Sequence, residues 1–271
     1  MKLDFFKMHA QGNDYIFFDF LDNELPKLNL NNLSKKISQR RFGVGSDGIV
    51  LILPSANASV KMRIFNSDGS EAPLCGTALR CIVFYLHKKY PDNFTFSVET
   101  KVGIKSGRII DNEARIEIGE PKIVKKNHQQ IENFLQKYKI NVESIHHIDI
   151  GNPHLVIYTD NLKKINLARI APKLEKIVNP IKGINIEFCT VMNSNLIKMI
   201  VWERGSGITY ACGSGASSSV ASGVFQGFLD NNVIVDQTGG QVSIQYKNDY
   251  VFISGKTEIT FYGTLEVDEE I

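Results

Sequence analysis

The sequence predicts an α/β protein built from two similar halves, and three observations predict it. The first is an internal repeat: "VKMRIFNSDGSEAPLCG" (Val60 to Gly76) returns as "IKMIVWERGSGITYACG" (Ile197 to Gly213), every position offset by 137 residues. The second is a series of short β-branched or aromatic runs separated by turn residues, among them "RIFNS", "FTFSVET", "ARIEIGE", "HLVIY", "IEFCTV" and "YVFISG". The third is one helix per half, rich in small and apolar residues, that opens at a Cys-Gly pair: "TALRCIVFYLH" and "SGASSSVASGVF". Each helix is expected to run inside or against a curled sheet.

The elements follow in order. A Gly-Asn pair leads into a strand at "QGNDYIFFDF", and a second does so at "IGNPHLVIY"; Asn13 lies 62 residues before Cys75, and Asn152 lies 60 before Cys212. Amphipathic helices fit "NLNNLSKKISQRRF", "NHQQIENFLQKY" and "LARIAPKLEKIV". The seam falls at Glu120-Pro121, after "RIEIGE", so residues 1–120 form the first half and 121–256 the second. The final strand, "TEITFYGTLEV", within residues 257–271, is expected to cross back and complete the first half. Halves of roughly 120–130 residues are of normal domain size.

Composition excludes several classes. The 271 residues are 43% hydrophobic and 22% charged, with a net charge of +2, which marks neither a nucleic-acid partner nor an anionic surface as a target. No window approaches the roughly 20 apolar residues of a membrane span. "MKLDFFKMHAQGND" has an early acid and no apolar core, so it does not read as a signal peptide, and a cytoplasmic location is the expectation. The four cysteines include no C-x-x-C spacing, which argues against a disulfide scaffold and a zinc site; no metal is expected.

The two Cys-Gly starts carry the chemistry. A helix N-terminus exposes unpaired N–H groups and a partial positive charge. A thiol placed there is expected to have a lowered pKa, and the same amides hold a carboxylate. Halves related by a pseudo-twofold axis would bring Cys75 and Cys212 face to face across a cleft. One thiolate and one thiol on opposite sides of a carbon suit removal of a proton from one face and return to the other. A Cys75–Cys212 disulfide is the alternative, readable as a redox switch. Cys81 and Cys189 read as packed hydrophobes.

Nearby polar residues have two readings each. Glu203 and Arg204 in "WERGSG" form either a surface ion pair or, through Arg204, a grip on a second carboxylate. Asn13, Asn66, Asn152 and Asn185 are individually turn residues, yet together they frame both Cys-Gly sites. His154 either tunes a thiolate or caps its loop.

These motifs together resemble the diaminopimelate epimerase family. "KMHAQGNDY", "RRFGVGSDGIVL", "FNSDGSEAPLCGTALRC", "GNPHLVIY", "GINIEF" and "WERGSGITYACGSGAS" occur in the family's order and spacing. The resemblance implies two β-barrel-like curled sheets, each around a central helix, with the active site in the cleft between them. It implies interconversion of LL- and meso-diaminopimelate, a small-molecule substrate, without a cofactor, by a homodimer with Phe261 and Tyr262 on its aromatic edge. Cys75 and Cys212 match the family's acid/base cysteines. His154 and Glu203 match residues that adjust their pKa values. Asn13, Asn66, Asn152, Asn185, Glu203 and Arg204 match substrate-binding positions, and Gly76-Thr77 and Gly213-Ser214 match backbone donors. The chain departs from the family at Thr77-Ala78, where Asn-Gly is usual, at Gly48, where some members carry Gln, and at Ile208, where an acid is common. These departures bear on substrate preference. The rival readings are a racemase of another amino acid, such as histidine or glutamate, a relative of phenazine-biosynthesis isomerases, and a non-catalytic amino-acid-binding protein.

Overall fold

Strands alternate with a few helices along the whole chain, and a computed structural model describes residues 1–179, 181 and 183–267. Two compact units emerge, Met1–Ile116 with Gly255–Ile271, and Glu117–Ser254. Residues 268–271 of the returning segment lie outside the described residues.

The first unit runs β1 (Lys2–Ala10), β2 (Asn13–Asp19), α1 (Leu30–Ile37), β3 (Gly48–Leu53), β4 (Val60–Asn66), β5 (Glu71–Ala72), α2 (Gly76–Lys89), β6 (Thr95–Thr100) and β7 (Gly103–Ile110), and the boundary falls within β8 (Glu113–Gly119), after Ile116. The second runs β9 (Lys122–Ile123), α3 (Gln129–Lys137), β10 (Val142–Asp149), β11 (Pro153–Thr159), α4 (Leu167–Val178), β12 (Asn185–Asn193), β13 (Leu196–Glu203), β14 (Gly207–Thr209), α5 (Gly213–Gln226), β15 (Asn232–Gln237), β16 (Gly240–Lys247) and β17 (Tyr250–Gly255). The last strand, β18 (Glu258–Glu266), pairs antiparallel with β1, Phe5 opposite Gly263, and so joins the first unit's sheet.

The two units share one strand topology. β2 runs parallel to β3 and β4 parallel to β6, with α1 and α2 as the crossovers. β11 runs parallel to β12 and β13 parallel to β15, with α4 and α5 in the same roles. Parallel neighbours require such crossovers. The register repeats as well: Tyr15 faces Gly48 as His154 faces Asn185, and Phe17 faces Val50 as Val156 faces Glu187.

Each central strand is covered on both faces, so "YIFF" and "HLVIY" are buried throughout. In the first unit Ile16, Phe18, Ile49 and Leu51 pack with α1 through Leu30, Leu33 and Ile37. In the second, Leu155, Ile157, Ile186 and Phe188 pack with α3 and α4. The opposite faces curl around α2 and α5. α5 buries every residue from Gly215 to Gly223 and ends at Gly227, whose φ of 79° is the left-handed cap that favours glycine. Two of its serine hydroxyls donate back into the helix, Ser217 to Gly213 O at 2.8 Å and Ser219 to Gly215 O at 2.9 Å, which satisfies them in a dry setting, whereas Ser218 Oγ is buried without a partner. Among the described residues no helix is long and apolar enough to cross a membrane.

Candidate active site

Cys75 is the N-cap of α2, in extended conformation (φ −144°, ψ 121°). The first backbone donor to close a helical turn is Leu79 N, onto Cys75 O at 3.0 Å, which leaves the N–H groups of Gly76, Thr77 and Ala78 ahead of it. The Cys75 sulfur lies 3.6 Å from the hydroxyl of buried Tyr15. Tyr15 is held in place by its neighbour Asp14, which accepts from Lys7 Nζ at 2.7 Å and from both Arg40 nitrogens at 2.7 and 3.2 Å. Burial alone would raise the Asp14 carboxyl, but Arg40 and Lys7 outweigh it and hold it below the usual carboxylate range. This clamp fixes the start of β2, including Asn13, whose Oδ1 is buried without a hydrogen-bond partner. Asn66, at the end of β4 opposite Gly48, donates from Nδ2 to Ser70 Oγ at 3.0 Å. Gly48 itself admits no side chain, because a Cβ there would stand 2.1 Å from Phe65 O. Glycine at this departure from some relatives is therefore a packing requirement of β3 against β4.

Cys212 is the N-cap of α5 (φ −134°, ψ 114°), and its sulfur accepts from Gly215 N at 3.3 Å and lies 3.5 Å from Ser214 Oγ. Its own N–H donates to Gln237 Oε1 at 2.8 Å. A chain of side chains leads away from the sulfur. Asn152 Nδ2 donates to Ser214 Oγ at 3.5 Å, His154 Nε2 meets Asn152 Oδ1 at 3.1 Å, and His154 Nδ1 meets Glu187 Oε1 at 2.7 Å. His154 and Glu187 are both fully buried. Glu203 accepts from Thr209 Oγ1 at 2.5 Å and also hydrogen-bonds Cys212. Asn185 is occupied at both ends, donating to Pro153 O at 3.2 Å and accepting from Arg204 N at 3.0 Å. It thereby positions the turn that presents Arg204, whose side chain is exposed. No Glu203–Arg204 ion pair forms among the described residues, since Glu203 turns toward Thr209 and Cys212.

The thiol expectation needs correction at Cys212. A helix start predicts a lowered pKa, yet burial, Glu203 and Glu187 together push this thiol well above its ordinary value. Burial also raises the Glu203 carboxyl against the hydrogen bonds from Thr209 and Cys212. Desolvation and two carboxylates outweigh one helix terminus. Cys81 is fully buried and pushed up to about 12 by desolvation, and Cys189 is likewise buried and raised. Four residues near the two sulfurs escape sequence reasoning: Tyr15, Arg80, Glu187 and Gln237.

The family model described as diaminopimelate epimerase matches residues 5–124 and 146–260. The chain belongs to the diaminopimelate epimerase family. It is 40% identical to a diaminopimelate epimerase of Carboxydothermus hydrogenoformans, over 96% of this chain and 98% of that protein. It is 36% identical to one from Methanococcus maripaludis, over 98% and 100%. The enzyme is thus an isomerase, an amino-acid epimerase of this family. Among solved structures, a phenazine biosynthesis protein of the PhzF family from Bacillus anthracis superposes with a TM-score of 0.75 at 15% identity, over 98% of this chain and 100% of that one. A hydroxyproline epimerase from Agrobacterium vitis gives 0.69 at 12%, over 99% and 93%. At these identities the likeness is one of fold.

Proposed function

We propose that the enzyme interconverts LL- and meso-2,6-diaminopimelate by proton removal and return at the α-carbon, with Cys75 and Cys212 as the two acid/base groups, in the synthesis of lysine and peptidoglycan precursors. One observation carries the reading: each unit places a cysteine at the N-cap of its central helix, at equivalent points of one topology. A thiolate takes the α-proton and its electron pair remains on the substrate, delocalised into the carboxylate. The other thiol returns a proton to the opposite face. First-turn N–H groups, Gly76 and Thr77 in one unit and Gly213 and Ser214 in the other, are the donors for the carboxylate as charge develops on it. Asn13, with its unpartnered acceptor, suits the substrate ammonium. Asn66, Asn152, Asn185, Glu203 and Arg204 complete the binding set, with Arg204 on the distal carboxylate. His154 and Glu203 act on the ionisation of Cys212. No pyridoxal phosphate or metal enters this scheme.

The test is incubation with LL-diaminopimelate in D2O, following α-deuterium incorporation and the diastereomer ratio, with L-histidine, L-glutamate and L-proline in parallel. Exchange and epimerisation of diaminopimelate alone is the expected result. Exchange of histidine or glutamate instead would move the enzyme to another substrate, and no exchange at all would sink the scheme.

A further inference from the structure

The topological repeat allows the two cysteine environments to be compared residue by residue, and they differ in charge. The ladders align Tyr15 with His154, Gly48 with Asn185 and Val50 with Glu187. Asn66 and Glu203 end equivalent strands, and Arg80 and Ser217 are each the fifth residue after their N-cap cysteine. Cys212 therefore stands among two carboxylates, Glu203 and Glu187. The equivalent positions around Cys75 hold an amide and a valine. Conversely, the first unit carries a cation where the second carries Ser217, a neutral residue bonded to its own helix at Gly213 O, 2.8 Å away.

Arg80 is the anomaly. Its side chain is buried to 1% exposure, and neither Nε nor Nη1 has a hydrogen-bond partner. A guanidinium cannot shed its proton to escape burial, and an unpaired buried charge is strongly destabilising. The ionisable groups that act on it are Cys81, Cys75 and Glu113 of β8. Burial keeps the Cys81 thiol protonated, up to about 12. Helical side chains lean toward the N-terminus of their helix, which aims the Arg80 stem at the Cys75 end of α2. The Cys75 thiol donates to the Tyr15 hydroxyl at 3.6 Å, and a hydroxyl is a group that can turn to donate once the sulfur is a thiolate.

We propose that Arg80 is the buried counter-charge that makes Cys75 the thiolate of the resting enzyme, and that Cys212, faced by Glu187 and Glu203, rests as the thiol. This rests on the two-cysteine reading above. It gives each cysteine its role in the first turnover. Cys75 takes the α-proton and becomes a thiol, and Cys212 gives its proton and becomes a thiolate. Regaining the resting state then requires one proton to leave Cys75 and one to reach Cys212, exchanged with water and needing no other reactant. Arg80 is a positioning group in this scheme, acting on substrate only through Cys75.

The experiment is alkylation of the wild-type protein by iodoacetamide across a range of about pH 5 to about pH 10, with peptide mass mapping to read each cysteine separately. The midpoint of the rate against pH reports ionisation independently of accessibility. Cys75 should show a midpoint below the free-thiol value of about 8.5, and Cys212 one above it. Arg80→Met should raise the Cys75 midpoint by at least about one unit, a tenfold loss of thiolate near neutrality, and leave Cys212 unmoved. Arg80→Lys should restore it. A merely structural role for Arg80 would shift neither midpoint. A Cys75 midpoint at or above that of Cys212, or no shift in Arg80→Met, overturns the proposal. Should Arg80→Met not fold, the wild-type and Arg80→Lys midpoints decide. Ionisation is read without substrate, so the failure of diaminopimelate to exchange in D2O would sink the reaction while leaving the midpoints to judge Arg80.

Discussion

Gly215→Ala tests the packing beneath Cys212 most directly. A Cβ at this position would lie 2.6 Å from Glu187 Oε1 and 3.1 Å from its Cδ and Cγ, closer than real Cβ contacts allow. The helix backbone cannot retreat easily, because α5 is buried along this whole stretch. The carboxylate is pinned in turn by His154 Nδ1 at 2.7 Å. Accommodating the methyl therefore means either overpacking, about 1–3 kcal/mol, or loosening a buried pair, about 3–5 kcal/mol. Alanine returns about 1 kcal/mol of helix propensity. The net loss is then about 0–2 kcal/mol by the first route and about 2–4 kcal/mol by the second; the pinned carboxylate favours the second, a fall in Tm of roughly 4–16 °C at this chain length. Scanning calorimetry measures it, with Gly213→Ala as the control, since a Cβ there meets only the flexible end of Ile253 at 3.3 Å. In a Glu187→Ala background the space is vacated, so Gly215→Ala should add less than about 1 kcal/mol. A Tm unchanged in the single variant, or an equal drop in both backgrounds, would refute the contact.

Other outcomes follow from the same geometry. Cys75→Ser and Cys212→Ser should each abolish epimerisation of diaminopimelate, and full activity in either would remove that cysteine from the chemistry. Arg204→Lys should lower kcat/KM for diaminopimelate by roughly 10–100-fold through loss of a bidentate grip worth about 1.5–3 kcal/mol; unchanged kinetics would place the distal carboxylate elsewhere. His147 is buried and held neutral, its pKa lowered to about 4 by desolvation and by Lys126, His128 and His146. Between that value and the ordinary 6.5 the unfolded chain binds more protons, so stability should fall as pH drops through this window. Replacing His147 by Asn should flatten the profile of Tm against pH there; an unchanged slope would exonerate it.

The fold class was legible because its signals are local and repeated. Short β-branched runs, helix starts at Cys-Gly and the 137-residue offset survive in the bare sequence, and the Cys-Gly pairs do open α2 and α5. Glu187 was illegible for a definite reason. In "INIEFCTV" alternation assigns it to the face opposite Ile186 and Phe188, which a one-sided sheet would leave in water. Here α5 covers that face, and the acid ends fully buried. Arg80 was hidden similarly, as one polar residue in an apolar helix that ordinarily reaches solvent along its stem. Gly48 reads as a variable position until the carbonyl of Phe65 is seen against it. For Glu187 and Gly48 the deciding neighbour lies on another element, α5 and β4 respectively, and periodicity carries no information about it.

The two helices show how one topology came to hold two different surroundings for an N-cap cysteine. α2 meets its sheet with Leu79, Ile82, Val83 and Leu86, a conventional core. In its first turn Ala78 is fully buried, and the ladder position that holds Glu187 in the other unit is Val50 here, with no carboxylate for a methyl to meet. α5 has Gly215 at the corresponding position and a run of serines after it, so its backbone can sit against a carboxylate that would collide with a Cβ. The alanine in "CGTA" and the glycine in "CGSG" are then two halves of one rule. A methyl goes with an apolar floor and a cation behind the cysteine, and a glycine goes with an acidic floor. Neither arrangement is the more stable choice. Arg80 leaves donors unpaired and Glu187 leaves Oε2 unpaired, both fully buried, and each such group costs stability that an apolar residue would not. A cation kept in one copy of the repeat and a carboxylate kept in the other are difficult to explain by folding, and under the two-cysteine scheme proposed above they would let the two thiols begin a reaction in different protonation states.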